Sequence, residues 1–152
     1  MFGAGGNLEG SFRASWSSGD LVWVNDCHGD QYDVEPMGDT VYAAGHSHYC
    51  GSLEGGFPQS DPWSFYRGLA VSKDVARTTP YGLNLGYYDF GGNPAPKLLH
   101  WFPAFNAGNV SGASQGPWSV SSNSEYLVYG GEFTRVNNTG QQGLARFAVT
   151  SK

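Results

Sequence analysis

Two histidines spaced two residues apart offer the clearest route to chemistry in this sequence. His46 and His48 lie in strand-like sequence, and side chains two apart on a strand point to the same face. Two imidazoles on one face can bind Zn or Cu when a third ligand is near. In the simplest hairpin register Asp33 shares their face and would complete a metal site.

His28 is the other candidate metal ligand. In the same register it points away from the other two imidazoles. An irregular backbone around Gly29 and Gly45 would be needed to bring it across. The alternative to a metal site is that these polar side chains order the rim of a hairpin.

Acidic residues surround the same hairpin and would be the candidates for hydrolytic chemistry. Asp26, Asp30, Asp33 and Glu35 could pair as acid and base only at a suitable separation, and such residues commonly form turns. The sequence has no Gly-x-Ser-x-Gly elbow, no phosphate-binding glycine loop and no His-Glu-x-x-His motif. We therefore expect no catalytic residues, and no cofactor beyond the Zn or Cu considered above.

An aromatic segment offers binding rather than catalysis. Flat apolar rings interleaved with hydrogen-bonding side chains suit a sugar, because Tyr and Trp give large contact area at low entropy cost. The alternative is a loop that folds back over the sheet and buries its rings. The candidate ligand-binding residues are Trp63, Tyr81, Asn84, Tyr87, Tyr88 and Asp89.

The two cysteines flank one predicted hairpin. Cys27 and Cys50 are equidistant from a turn at Gly38 and Asp39, which makes them cross-strand neighbours able to form a disulfide. A bulged turn starting at Pro36 would instead shift the pairing by about three residues, and two free buried thiols are the other alternative. A disulfide favours an oxidising compartment.

Composition excludes several classes of protein. Of the 152 residues 23 are glycine, and aromatic residues (15%) are as frequent as charged ones (14%). This balance is typical of short strands joined by tight turns. The net charge of −5 includes no basic patch, and no apolar run could cross a bilayer, so we expect neither a nucleic-acid partner nor membrane insertion.

An internal repeat predicts the fold. Residues 32–45 and 118–131 align at an offset of 86, and each reads as strand, polar turn, strand and glycine. A third strand with the same Gly-Leu-Ala sequence follows each hairpin, at residues 68–70 and 143–145. A fourth strand follows in the first copy at residues 97–102. Four antiparallel strands make one blade of a β-propeller.

We therefore predict an all-β fold, a single β-propeller segment of four-stranded antiparallel blades over residues 1–152. Residues 1–31 would end a preceding blade, residues 32–105 would form a complete blade with an insertion near 72–96, and residues 106–152 would begin the next. About two blades' worth of strands cannot close a ring, because propellers have about four to eight blades. A longer parent chain, or other copies in a homo-oligomer, would complete it.

Two further structural expectations follow. The insertion is rich in Gly and Pro, so we expect a loop without regular structure. Blades cover one another's faces, so the apolar residues of the repeats should pack between them. These residues are Tyr32, Val34, Val41, Trp101, Trp118, Val120, Leu127, Phe133, Leu144 and Phe147.

The second copy carries a recognisable pattern. Its segment VYGGEFTRVN at residues 128–137, followed by QGLARF at 142–147, resembles the short β-propeller repeat of actinobacterial secreted and cell-surface proteins. Residues 24–30 and 44–50 look like a variant of that repeat bearing cysteine and histidine. Similar repeats occur in tail proteins of phages that infect these bacteria. The resemblance implies an extracellular, cell-surface or virion-tail location.

The function expected from these observations is a structural and recognition module. Its inserted loops would bind a glycan or a cell-surface protein through the aromatic segment. The alternative is a metal-dependent surface enzyme or a metal-binding domain centred on His46 and His48.

Overall fold

The computed structural model describes residues 7–148, and the prediction of an all-β fold is confirmed for them. No helix in this part of the chain is long and apolar enough to cross a bilayer. The first six and last four residues of the predicted propeller segment lie outside the described part. The strands are β1 (Ser11–Ala14), β2 (Leu21–Asn25), β3 (Gln31–Met37), β4 (Thr40–Ser47), β5 (Tyr66–Thr78), β6 (Pro94–Leu99), β7 (Pro117–Ser122), β8 (Tyr126–Gly131), β9 (Arg135–Val136), β10 (Thr139–Gly140) and β11 (Leu144–Ala148).

The described strands form antiparallel sheets whose order follows the chain closely. β1 pairs with β2, the next four strands form a sheet in the order β3-β4-β5-β6, and β7, β8 and β11 form a third sheet with β8 in its centre. β9 and β10 make a small separate hairpin. Short strands joined by tight turns are the structure that the glycine and aromatic content predicted.

The hairpin of β3 and β4 has the register that the sequence predicted. Gly38 and Asp39 form its two-residue turn, and Gly38 adopts a φ of 59°, as this kind of turn requires. The same register places Cys27 opposite Cys50, with Cα atoms 4.2 Å apart and the sulfurs bonded at 2.05 Å. The predicted disulfide is therefore confirmed, and the bulged turn and the free thiols are excluded.

Strand β4 is buried on both faces. Val41 and Ala43 point into a core beneath β1 and β2, which also contains Trp23 and the disulfide. Tyr42 and Ala44 point the other way, into a second core shared with β7, β8 and β11. Alternate side chains of a strand point to opposite faces, so one strand contributes to two cores. The four-stranded sheet is thus the middle layer of three.

Side chains of the middle sheet bind the backbone of the third sheet. Asp33 Oδ2 accepts a hydrogen bond from the backbone N–H of Val120 at 2.9 Å, and Glu35 Oε1 accepts from the N–H two residues further along β7 at 3.1 Å. In the other direction, the buried hydroxyl of Tyr129 donates to the carbonyl of Ala43 at 3.1 Å. These bonds fix the two hairpins against each other.

The two Gly-Leu-Ala sequences do not occupy equivalent positions. Leu69 on β5 pairs with Ala43, whereas the residue that pairs with Tyr129, the counterpart of Ala43, is Ala145. The Gly-Leu-Ala sequence of the second copy is therefore displaced by one residue relative to the strand with which it pairs. Because a one-residue displacement turns every side chain to the other face, Leu69 is 2% exposed and Leu144 is 59% exposed.

The predicted core is partly correct. Val41, Val120, Leu127 and Phe133 are buried, whereas Tyr32, Trp101 and Phe147 are half-buried. Three predictions are wrong because these side chains are exposed: Val34, Trp118 and Leu144. Val34 lies on the edge strand β3, and Trp118 lies at a register irregularity of β7. Leu144 is exposed because of the one-residue displacement described above.

The insertion is shorter and more regular than predicted. Strand β5 continues to Thr78 and β6 begins at Pro94, so residues 72–78 and 94–96 belong to strands. The irregular loop comprises residues 79–93 only. The glycine and proline content identified this loop, but not the two strands that lead into and out of it.

Candidate functional site

Three histidines lie at the end of the hairpin that carries the disulfide, and aromatic contacts connect them. The rings of His28 and His48 have centroids 6.2 Å apart, and the ring of Phe65 lies 5.9 Å from that of His46 and 6.0 Å from that of His48. Both strands of the hairpin are irregular at this end, and Gly29 adopts a φ of 115°. Of the two alternatives for His28, the structure shows the irregular backbone near Gly29 and Gly45, and the His28 ring lies beside that of His48.

Two of these imidazoles are covered by stacked aromatic rings. Tyr87 lies on His28, with centroids 4.2 Å apart and an interplanar angle of 26°. Trp63 lies on His48, with centroids 4.1 Å apart and an angle of 15°. The ring centroids of Phe65 and Trp63 are 6.3 Å apart. We call this set the aromatic–imidazole cluster: His28, His46, His48, Trp63, Phe65 and Tyr87.

The cluster has a buried layer and an exposed layer. His28 and His48 are buried, whereas Trp63 is 48% exposed and Phe65 is 41% exposed. Trp63 and Phe65 come just before β5, and both rings lie against those of the histidines. Two large aromatic rings are therefore exposed to solvent above buried imidazole rings.

Tyr32 and His46 form a hydrogen bond. The Tyr32 hydroxyl and His46 Nδ1 are 2.7 Å apart. Burial, assisted by the charge of Asp30, raises the pKa of Tyr32 to about 12, so the hydroxyl keeps its proton at pH 7. Burial lowers the pKa of His46, so the ring is neutral at pH 7.

Gln59 fixes the tautomer of His48. Its Nδ1 lies 3.0 Å from Gln59 Oε1, an acceptor, so Nδ1 carries the proton. Burial lowers the pKa of His48, only partly opposed by the bond to Gln59. The stacked imidazole beneath Trp63 is therefore neutral at pH 7 and fixed in orientation.

A cavity of about 270 Å³ opens beside the cluster. This is slightly smaller than the roughly 300 Å³ at which pockets for whole drug-sized ligands begin, so it can hold part of a ligand. Its polar and aromatic lining residues are His46, Phe65, Arg67, Ser114 and Gln115.

No family model, curated protein or solved structure matches this chain. The resemblance to a bacterial propeller repeat therefore stays a hypothesis.

Two of the six predicted ligand-binding residues, Trp63 and Tyr87, belong to the cluster. Asn84 instead organises the loop. Its side-chain amide donates to the backbone carbonyl of Tyr87, and its backbone carbonyl accepts from the N–H of Tyr87. Asp89 likewise accepts from two backbone N–H groups of the loop. Both polar residues therefore shape the segment that carries Tyr87.

The other two predicted ligand-binding residues lie apart from the cluster rings. Tyr81 is exposed and packs beside Gly91 and Gly92, where an added Cβ would meet its ring within 3 Å. Tyr88 is exposed and packs edge-on against Phe90, with centroids 4.8 Å apart. The loop thus acts partly as a cap, through Tyr87, and otherwise holds its own conformation.

The four predicted metal ligands do not converge. Among residues 7–148, no three side chains of His, Cys, Asp or Glu are placed to hold a metal ion. Asp33 is bound to the backbone of Val120. Asp26 Oδ2 is 3.7 Å from His28 Nε2, beyond hydrogen-bond distance. His46 and His48 contribute to this site as aromatic and hydrogen-bonding groups, and His28 contributes as an aromatic ring.

Sequence reasoning missed several residues of the site. Phe65 and Arg67 continue from Trp63 at intervals of two, a pattern that a strand beginning near residue 63 would have predicted. Gln59 carries no such signal, because its bond to His48 depends on the path of the segment between β4 and β5. Gln115 is brought to the cavity from the segment before β7, which no local pattern could indicate.

Proposed function

We propose that this chain is a structural and recognition module of an extracellular protein, on a bacterial cell surface or a phage tail. In this proposal the three main sheets are successive blades of a β-propeller, and a glycan binds to the exposed rings of Trp63 and Phe65.

The blade interpretation is supported by the layering. A blade is a four-stranded antiparallel sheet whose two faces are covered by its neighbours. The sheet of β3 to β6 has a core on each face, and the sheets that cover it precede and follow it in the chain. The extracellular location is supported by the disulfide, since disulfides persist in oxidising compartments.

Glycan binding is supported above all by the stacking of exposed Trp63 on buried His48. A sugar ring packs its C–H face on an aromatic ring while its hydroxyls seek donors and acceptors at the edge. The indole cannot turn freely on its imidazole base, so little rotamer entropy remains to be lost on binding. Arg67 and Gln115 provide hydrogen-bonding groups nearby.

Binding to an oligosaccharide array tests the proposal. We expect at least one class of glycan to bind, and we expect Trp63→Ala to weaken it by about 2 kcal/mol, roughly thirtyfold, as for a central aromatic residue of an interface. Trp16→Ala is the matched control, because Trp16 is fully exposed in the turn between β1 and β2. Equal binding by the two variants, or no binding by the unsubstituted protein, would refute glycan recognition at the cluster.

A further inference from the structure

Arg67 is a half-buried charge without a counter-ion. Its guanidinium is not within ion-pair distance of any carboxylate in residues 7–148, although the chain has 13 acidic and only 8 basic residues. The buried Nε–H has no hydrogen-bond acceptor. Nη1 reaches only the carbonyl of Phe105, at 3.5 Å. A buried charge that lacks both a partner and full hydration is costly, so a site of this kind is stabilised by an anion.

The surroundings of Arg67 form a site open to a ligand. The Arg67 side chain passes over Gly116, where an added Cβ would lie 2.7 Å from Arg67 Cδ, so only glycine leaves room for it. The guanidinium carbon is 5.8 Å from the centre of the Phe65 ring. His46 lines the same cavity. A ligand in the cavity thus meets a guanidinium, an imidazole and one aromatic face.

We propose that this cavity binds the carboxylate of an acidic sugar, a residue of the uronic acid type, with Arg67 as the charged partner and Phe65 as the stacking surface. This inference rests on the proposed function and specifies its ligand. Arg binds carboxylates with two parallel N–H···O bonds, which a neutral hydroxyl cannot reproduce.

The geometry favours a sugar acid over an acidic peptide. The charged group adjoins a continuous series of ring faces, since Phe65 lies between Arg67 and Trp63. A glycan can place a carboxylate at Arg67 while its ring covers Phe65 and its next residue covers Trp63. A peptide carboxylate would use the arginine without needing the two aromatic faces.

The experiment compares oligosaccharides that contain a uronic acid with their carboxyl-reduced counterparts, which differ only at the charged group. By titration calorimetry, we expect the acidic member to bind at least about tenfold more tightly, the size of a charge-assisted hydrogen bond. Arg67→Gln should remove this difference, whereas Arg135→Gln, at an exposed arginine of β9, should keep it. Arg67→Lys should keep only part, because lysine lacks the planar fork.

A second measurement does not depend on the stability of the variants. In proton–nitrogen NMR spectra of the unsubstituted protein, the Arg67 Nε–H signal should shift with the acidic oligosaccharide and not with the reduced one. If both members bind equally and lose affinity in Trp63→Ala, the carboxylate site is refuted and the proposed function stands. If no oligosaccharide binds and an acidic peptide binds through Arg67, both are refuted.

Discussion

The indole of Trp63 and the imidazole of His48 lie almost parallel, with ring centroids 4.1 Å apart. His48 is buried, and its Nδ1 is bonded to Gln59. The exposed indole of the candidate site therefore stacks on a histidine whose orientation is fixed by its hydrogen bond to Gln59. Because burial lowers the pKa values of both His48 and His46, the site depends on imidazoles that stay neutral.

Stability should decrease as the pH falls below neutrality. The pKa values of His46 and His48 lie below the unfolded value of about 6.5. From about pH 6.5 down to the lowered values, the unfolded chain binds protons that the folded chain does not, and this difference favours unfolding. Urea unfolding between about pH 7.5 and 5.5 measures the effect.

Substitution identifies the source of this pH dependence. His48→Gln should reduce the slope of stability against pH, whereas His100→Gln, at an exposed position after β6, should leave it unchanged. An unaltered slope in His48→Gln would show that this ring does not contribute.

Leu69 and Leu144 should differ sharply in their effect on stability. Leu69→Ala empties a buried position and should cost about 2–5 kcal/mol of unfolding free energy. Leu144→Ala removes an exposed side chain and should change it by about 0.5 kcal/mol or less. The two leucines are matched controls for each other, since both lie in Gly-Leu-Ala sequences. Equal losses in urea unfolding would contradict the displacement between the copies.

This pair of leucines also shows what a sequence repeat can reveal. The hairpins aligned correctly, because Gly38 and the equidistant cysteines determine the register of β3 and β4. The third strands did not align, because their register depends on pairing with β4 and β8 and not on their own sequence. Local turn chemistry is readable from sequence, whereas long-range pairing is not.

The same distinction holds at the candidate site. Trp63 and Tyr87 were predicted from their residue types, because exposed aromatic residues suit binding. Arg67 was missed, because its lack of a carboxylate partner within residues 7–148 is visible only in the three-dimensional arrangement. The orientation of His28 depends on a related effect. Register irregularities near Gly29 and Gly45 change the face of the sheet to which a side chain points, and the spacing of residues in the sequence does not predict them.

The hydroxyl of Tyr129 should contribute to the docking of the two hairpins. Tyr129→Phe leaves the carbonyl of Ala43 without this buried donor and should cost about 1–2 kcal/mol of unfolding free energy. Tyr126→Phe on the same strand is the control, because its ring packs under the Arg146 guanidinium and loses little. A Tyr129→Phe protein as stable as the control in urea would mean that the bond contributes nothing.

The disulfide should stabilise the end of the hairpin that carries the histidines. Replacing both Cys27 and Cys50 with Ser opens a loop with a sequence separation of 23 and should cost roughly 3 kcal/mol of unfolding free energy. Dithiothreitol should lower the stability of the unsubstituted protein by a similar amount and should not affect the double variant. A double variant as stable as the oxidised protein would rule out this contribution.

Strand β4 divides its side chains between two separate interiors. A cavity or an overpacked residue in one core therefore displaces the backbone of β4, which also positions side chains in the other core. A packing defect in either core is thus transmitted to the other through the strand. The three layers should consequently melt together in one transition. Any change in β4 must therefore satisfy two sets of neighbours at once.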